Sequence, residues 1–321
     1  MKKIVVITTG GSIVTRRGPA SGAAVPMMRS EDLMEQLAHS DIEPSFAEFS
    51  NLPSSHFTPV QGLELAYRIE SILKDDDIYG VVVVHGVDTL EETAYLLDLT
   101  LTSPKPVVLT GAVRQPTAPG YDGVANLAAA VRVAAAPEAQ ELGVLVVFAE
   151  QILAASAAQN VHTQALAAFG ASGPGMLGRV EGGRVWIAQR PAQRQHIPAA
   201  RLEERVDLIT VTQGADDRLL RHSIEDGVAG LVIEAFGGGR VPPWWLPSIR
   251  EAIAQRTVVV VASRCRAGAL YDEHGYVGAY HDLQRLGVLF AHDLSGAKAR
   301  IKLMLALGAA RRPEEVRTWF T

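Results

Sequence analysis

Short apolar runs rich in valine and isoleucine recur along this chain of 321 residues, and glycine or small polar residues follow each run. Continuous apolar runs of this length are typical of strands that are covered on both faces of a sheet. Helical patterns, such as residues 59–75 and 123–136, lie between the runs. This alternation predicts an α/β fold with a doubly wound, mostly parallel sheet. The predicted strands are IVVI (4–7), VVVV (81–84), PVVLTG (106–111), GVLVVF (143–148), LITVT (208–212), GLVIEAFG (230–237) and TVVVVAS (257–263).

A polar segment marked by prolines separates two groups of predicted strands. We therefore expect a larger N-terminal domain over residues 1–190, a linker over 191–207 and a smaller C-terminal α/β domain over 208–321. In open parallel sheets, ligands bind beyond the carboxyl ends of the strands. The residues that directly follow each strand are therefore the candidates for chemistry.

Composition narrows the function classes. The net charge of −5 includes no basic excess, so we expect neither nucleic acid nor a membrane surface as a partner. The single cysteine excludes an intrachain disulfide. The N-terminal apolar run ends too soon for a signal peptide, and residues 151–178 contain too many polar side chains for a membrane span, so a cytoplasmic location is expected. The histidines are scattered without a metal-binding pattern, so no metal is predicted.

Two predicted strands are followed by residues that could carry out chemistry or simply cap a helix. After the first strand, Ser12 could be a nucleophile beside exposed backbone N–H groups, or a helix cap. After the VVVV strand, Asp88 is a possible cap, and Thr89 with Glu92 fits a capping box. His85, at the end of the strand, could be a core histidine bonded to the backbone. Taken singly, each of these residues has a structural explanation.

Two further loops carry polar residues. In SNLPSSHFTP (50–59), Ser54 and Ser55 could cap a helix or bind a carboxylate through hydroxyl and N–H groups. Asp122 is expected to cap the helix that follows it, and Asn126 to bond back to the preceding loop.

Several segments considered together are more specific than any single residue. The chain contains TTGGSIVT (8–15), HGVDTLEETAYLLDL (85–99), KPVVLTGAVR (105–114) with YDGVANLAAA (121–130), and DLSGAKARIKLMLALG (293–308). In order, spacing and context these segments resemble the bacterial L-asparaginase family. The resemblance implies the two-domain α/β fold, a homo-oligomer with active sites near a subunit interface, and no cofactor. It also implies hydrolysis of the side-chain amide of asparagine by a threonine nucleophile.

The resemblance assigns roles to individual positions. The nucleophile falls on Ser12, and the residues that hold the substrate's α-carboxylate and ammonium fall on Ser54 and Asp88. The family's catalytic threonine–aspartate pair falls on Val87 and Asp88, so Asp88 is also a candidate catalytic residue, and the family's lysine falls on Asn160. Valine resembles threonine in shape but has no hydroxyl, so it can neither orient water nor relay a proton. The resemblance therefore predicts that an amino-acid-binding half is retained and that a threonine–lysine relay is lost.

Neighbouring residues complete this prediction. Ser55 and Val87 are expected to line the substrate pocket. His162 is a possible substitute base, because imidazole titrates near neutral pH, and His56 is the other histidine in a segment expected at the pocket. A space-filling role for His162 is equally compatible with the sequence. The family's lid tyrosine has no counterpart in TRRGPASGAAVPMM (15–28).

Three classes of function remain open at this point. The chain could be an amidohydrolase of altered specificity that acts on an amide or related acyl group of an aspartate-like substrate. It could instead be a non-hydrolytic acyl transferase or ring-forming enzyme on the same fold, because loss of water activation favours another acceptor. It could also be a catalytically silent protein that binds an amino acid. Fold analogy does not choose among them.

Overall fold

The structure is a computed structural model that describes residues 1–11, 41–173, 175–191, 194–271 and 273–320, together with the backbone of 15–17 and 24–26. The chain divides into two compact units, Met1–His196 and Ile197–Thr321. The boundary lies inside the segment 191–207, whose role as a linker stays a prediction.

The first unit contains an eight-stranded sheet with the order β12-β11-β8-β7-β6-β5-β1-β4. Five neighbouring strands, from β7 to β4, are parallel, and the remaining three extend the sheet with antiparallel pairs. The strands of the first unit, including four short ones outside this sheet, are β1 (Lys2–Thr8), β2 (Thr15–Arg17), β3 (Ala24–Pro26), β4 (Ile42–Glu48), β5 (Ile78–Val84), β6 (Val107–Thr110), β7 (Val144–Phe148), β8 (Gln151–Ala154), β9 (Ala158–Asn160), β10 (Phe169–Ala171), β11 (Met176–Glu181) and β12 (Arg184–Ile187).

Helices cover the parallel part of this sheet on both faces. Val82 and Val84 belong to a core cluster that includes the helix Gly123–Ala134, while the alternating residues Val81 and Val83 are fully buried toward the opposite face. The helices of this unit are α1 (Pro59–Leu73), α2 (Leu90–Thr100) and α3 (Gly123–Ala134), with short 3₁₀ turns at Ser54–His56 and Pro137–Ala139. The α/β class and the mostly parallel sheet predicted from the apolar runs are confirmed.

The second unit is a smaller α/β unit whose four strands are all parallel, in the order β13-β14-β15-β16. Its core is built on Trp245, which is 1% exposed, together with the apolar residues of the strands. The elements are β13 (Val206–Thr210), α4 (Arg218–Glu225), β14 (Gly230–Ala235), a 3₁₀ turn at Pro243–Trp245, α5 (Leu246–Ala254), β15 (Val258–Ser263), α6 (Tyr280–Leu286), β16 (Leu289–Phe290), α7 (Gly296–Ala309) and a 3₁₀ turn at Pro313–Trp319.

Two helix starts, those of α2 and α3, differ from the sequence-based expectation. The capping box that the structure does contain is at α1, where Thr58 pairs with Gln61. Thr89 stands at the N-cap of α2 but makes no side-chain cap bond. Asp122 likewise makes no side-chain cap bond at α3. Both side chains instead form longer-range contacts at the carboxyl edge of the sheet, and these contacts outweigh the local motif. No helix in the part of the chain that the structure describes is long and apolar enough to cross a membrane.

Candidate active site

The two central loops start side by side, because β1 and β5 are neighbours in register. Thr8 lies opposite Val84, the last residue of β5. β1 also pairs with β4 on its other side, so the order of the strands reverses at β1. Such a reversal opens a crevice at the carboxyl edge of an open sheet. The loops that follow β1 and β5 therefore flank the position where this fold binds ligands.

Glycines bring the backbone of these loops into close contact. Gly11 has φ +87°, and a Cβ atom on it would lie 2.7 Å from the backbone nitrogen of Gly86. A Cβ atom on Gly10, which has φ +118°, would overlap the backbone of Leu52. Both positions therefore require glycine. Ser12, the predicted nucleophile, follows Gly11 but lies outside the described residues.

Ser54 and Asp88 meet across this crevice. The Ser54 hydroxyl lies 3.5 Å from Asp88 Oδ2, and the Thr89 hydroxyl donates a hydrogen bond of 2.9 Å to the Ser54 carbonyl. Ser54 is buried, whereas the Asp88 carboxylate is exposed and therefore accessible to a ligand. The neighbouring Ser55 is also exposed, in the 3₁₀ turn that Ser54 begins. A hydroxyl group beside an accessible carboxylate can bind the two charged groups of an α-amino acid.

Val87 and Asn160 also lie next to each other. Asn160 Nδ2 is 3.5 Å from the Val87 carbonyl oxygen, a long hydrogen bond. The backbone nitrogen of Asn160 donates to Glu91 Oε2 at 2.7 Å. Glu91 thus attaches β9 to the first turn of α2, a role that its place in the sequence did not indicate. A Cβ atom on Gly111 would lie 3.4 Å from Val87 Cγ1, so the valine side chain packs against the loop after β6.

Asp122 and Asn126 hold the loops that follow the next two strands. The Asp122 carboxylate accepts hydrogen bonds from the backbone nitrogens of Val113, at 3.0 Å, and Arg114, at 2.9 Å. Asn126 donates to the Gly111 carbonyl and accepts from the Ala149 backbone nitrogen, both at 3.0 Å. Asp122 therefore orders the preceding loop rather than capping α3 with its side chain.

Comparisons with known proteins identify the family. The model described as "Asparaginase, N-terminal" matches residues 3–193, and "Glutaminase/Asparaginase C-terminal domain" matches residues 205–320. The L-asparaginase of Bacillus licheniformis is 35% identical over 313 residues, which cover 96% of each chain. The chain belongs to the asparaginase family.

Two further members extend the comparison along the whole chain. The probable L-asparaginase of Deinococcus radiodurans is 36% identical over 326 residues, covering 100% of this chain and 98% of that protein. The crystal structure of a probable cytoplasmic L-asparaginase from Campylobacter jejuni has a TM-score of 0.89 and 29% identity, covering 100% of this chain and 99% of that one. The similarity to asparaginases therefore extends over both units of the chain.

The two histidines that sequence reasoning placed near the pocket are both exposed. His162 accepts hydrogen bonds at Nδ1 from the backbone nitrogens of Gln164 and Ala165, each at 3.0 Å. In a neutral ring this arrangement puts the proton on Nε2, so a base role would require these two bonds to be released. His56 ends the 3₁₀ turn that contains Ser54. Among the described residues, no group of three or more histidine, cysteine, aspartate or glutamate side chains could hold a metal ion.

His85 lies beneath the site and is fully buried. Burial lowers its pKa to about 4, and its hydrogen bond to the Gly86 carbonyl opposes this effect only in part. The ring is therefore neutral at physiological pH, and its contacts with neighbouring groups are those of an uncharged imidazole.

The lowered pKa of His85 predicts a pH dependence of stability. Above pH 6.5 the ring is mostly neutral in both the folded and the unfolded states, so protonation of His85 does not lower the free energy of unfolding there. Between pH 6.5 and about 4 only the unfolded state gains the proton, so the free energy of unfolding should fall by about 3 kcal/mol in total. Chemical denaturation of the parent and of His85→Asn across this pH range measures the free energy of unfolding of each, and the difference between the two profiles isolates the contribution of His85. Parallel pH profiles for the two proteins would contradict it.

Proposed function

We propose that this chain hydrolyses the side-chain amide, or a related acyl group, of an aspartate- or asparagine-like substrate. In this proposal Ser12 is the nucleophile, Asp88 holds the substrate's ammonium, and Ser54 with Ser55 holds its α-carboxylate. No cofactor takes part.

The pairing of Ser54 with Asp88 is the observation that carries the proposal. The two side chains come from separate loops and approach to 3.5 Å at the strand reversal. A carboxylate and a hydroxyl group at this spacing match the ammonium and carboxylate of an α-amino acid, both of which form charge-assisted hydrogen bonds. The close packing of Gly11 against Gly86 supports the role of Ser12, because Ser12 is the next residue in the chain.

The relay half of the site differs from the binding half. Val87 brings an apolar side chain, and the Asn160 amide lies against the Val87 carbonyl. Neither side chain can accept a proton. A positioned base contributes roughly 10²–10⁴ in rate, so we expect slow hydrolysis of ordinary asparagine.

The same observation favours a second candidate function. If water is poorly activated at Val87 and Asn160, an acyl-enzyme on Ser12 would transfer its acyl group to another acceptor or close a ring. Mass spectrometry separates the candidates, because an amidohydrolase releases ammonia with the free acid, whereas a transferase releases ammonia with a conjugate. A silent binding protein would give neither product and no adduct.

We also propose that the chain acts as a homodimer or homotetramer in the cytoplasm. The Campylobacter jejuni relative is described as a probable cytoplasmic L-asparaginase. The single cysteine of this chain, Cys265, is free and exposed, as is common in reducing compartments.

The binding half predicts that Asp88→Asn weakens aspartate affinity by about 10- to 100-fold, because a hydrogen bond to a charged group contributes about 1.5–3 kcal/mol. Thermal shift titration with L-aspartate measures this loss. Asp76→Asn, at another exposed turn, is the matched control and should bind like the parent. Equal affinity in the two variants would exclude Asp88 as the ammonium ligand.

The nucleophile assignment predicts that Ser12→Ala lowers turnover by about 10³-fold or more, since positioning alone does not replace a nucleophile. Ammonia release and product mass, measured on asparagine, glutamine and aspartyl esters, provide the assay. Ser71→Ala, at an exposed serine of α1 outside the proposed site, controls for the loss of a serine hydroxyl. Turnover within a few-fold of the parent in Ser12→Ala would rule Ser12 out.

The relay assignment predicts coupling between Val87→Thr and Asn160→Lys. The threonine alone gains a hydroxyl without a cation to activate it, and the lysine alone places an ammonium beside an apolar side chain, which desolvation disfavours. In the double variant the two groups support each other, so asparagine hydrolysis should exceed the product of the single effects by a coupling of about 0.5–3 kcal/mol. A double-mutant cycle measures this term. Strict additivity would mean that the two positions are not one relay.

A further inference from the structure

The buried His85 has a defined tautomer. Its Nδ1 lies 2.8 Å from the Gly86 carbonyl oxygen, and a carbonyl can only accept, so Nδ1 carries the proton. In the neutral ring Nε2 is then the acceptor, and the Thr93 hydroxyl donates to it at 3.2 Å. Both nitrogens are therefore satisfied inside the protein.

Through these contacts His85 touches each element of the amino-acid-binding half. It directly follows β5, donates to the carbonyl of the turn that leads to Asp88, and bonds to α2 through Thr93. Its ring also packs edge-on against Phe57, with ring centroids 4.9 Å apart. The backbone nitrogen of Phe57 donates to the Ser54 carbonyl at 3.0 Å, which links the ring to the segment that carries Ser54.

The Gly86 peptide has little freedom once its carbonyl is fixed. A Cβ atom on Gly86 would lie 2.5 Å from Ser54 Oγ, so its Cα is already in close contact with the serine. Rotation of this peptide would move the turn that carries Asp88 relative to Ser54. The hydrogen bond that His85 donates is the contact that holds this carbonyl.

We propose that His85 is a positioning residue, which as the neutral Nδ1–H tautomer holds the Gly86 carbonyl and thereby sets the separation of Ser54 and Asp88. This inference rests on the proposed function for its consequence in ligand binding. The local geometry that it requires can be measured without a ligand.

Three variants separate hydrogen bonding from ring packing. His85→Phe keeps a ring against Phe57 but removes the donor to Gly86. His85→Asn keeps a donor close to the Nδ1 position and loses the ring. Thr257→Val is the control, because it removes a buried side-chain hydrogen bond to a backbone carbonyl in the second unit. If His85→Phe fails to fold, His85→Gln replaces it. The glutamine amide reaches toward Thr93, near the position of Nε2, and leaves the Gly86 carbonyl without the donor that Nδ1 provides.

The first measurement is hydrogen exchange by mass spectrometry on the full chain without ligand. His85→Phe should speed exchange in segments 84–90 and 50–58 together by about 10-fold, the effect of losing one hydrogen bond. His85→Asn should stay within about 3-fold of the parent in both segments, and Thr257→Val should change neither. An equal increase of the exchange rate in His85→Phe and His85→Asn would overturn the proposal.

The second measurement is L-aspartate affinity, with expected losses of about 10-fold in His85→Phe and less than about 3-fold in His85→Asn. Nitrogen NMR of ¹⁵N-histidine-labelled protein should also show His85 as one neutral tautomer, protonated at Nδ1. If the parent binds no aspartate, the proposed function fails while the exchange and NMR results still decide the role of His85. Aspartate binding that is undiminished in His85→Phe, or a proton on Nε2, would overturn the positioning role.

Discussion

The close approach of two backbone turns, at Gly11 and Gly86, is the constraint on which the candidate site depends. It is possible because β1 and β5 are adjacent and in register and because both turns lack a Cβ atom at the contact. A side chain at either position would separate the strand ends and the loops that carry the functional groups. The other contacts of the site, including those of Ser54, are arranged around this backbone contact.

The site has two halves with different chemical character. In the binding half, charged and hydroxyl groups meet at Ser54 and Asp88, and a buried neutral histidine supports them from below. In the other half, Val87 and Asn160 offer an apolar surface and a neutral amide. Under the proposed function, a site divided in this way recognises an amino acid and activates water poorly. In that proposal, the identity of the acyl acceptor decides whether the reaction is hydrolysis or transfer.

The sequence indicated the fold more completely than the site. Valine-rich runs predicted the parallel strands, because a strand buried on both faces must be apolar throughout. The resemblance to asparaginases predicted that Val87 and Asn160 lie near each other, although they are far apart in the chain. The contact between Asn160 and Glu91 had no local signal, because it depends on how β9 packs beside α2. Thr89 shows the limit of local motifs, since its hydroxyl bonds to Ser54 rather than capping its own helix.

A crystal structure of the protein soaked with L-aspartate tests the central claim most directly. The ligand's ammonium should lie within about 3 Å of the Asp88 carboxylate and its α-carboxylate within about 3 Å of the Ser54 hydroxyl, at ordinary hydrogen-bond distances. The Gly86 carbonyl should remain bonded to His85 in the complex. An aspartate that contacts neither Asp88 nor Ser54, or a crevice that stays free of aspartate, would contradict the account.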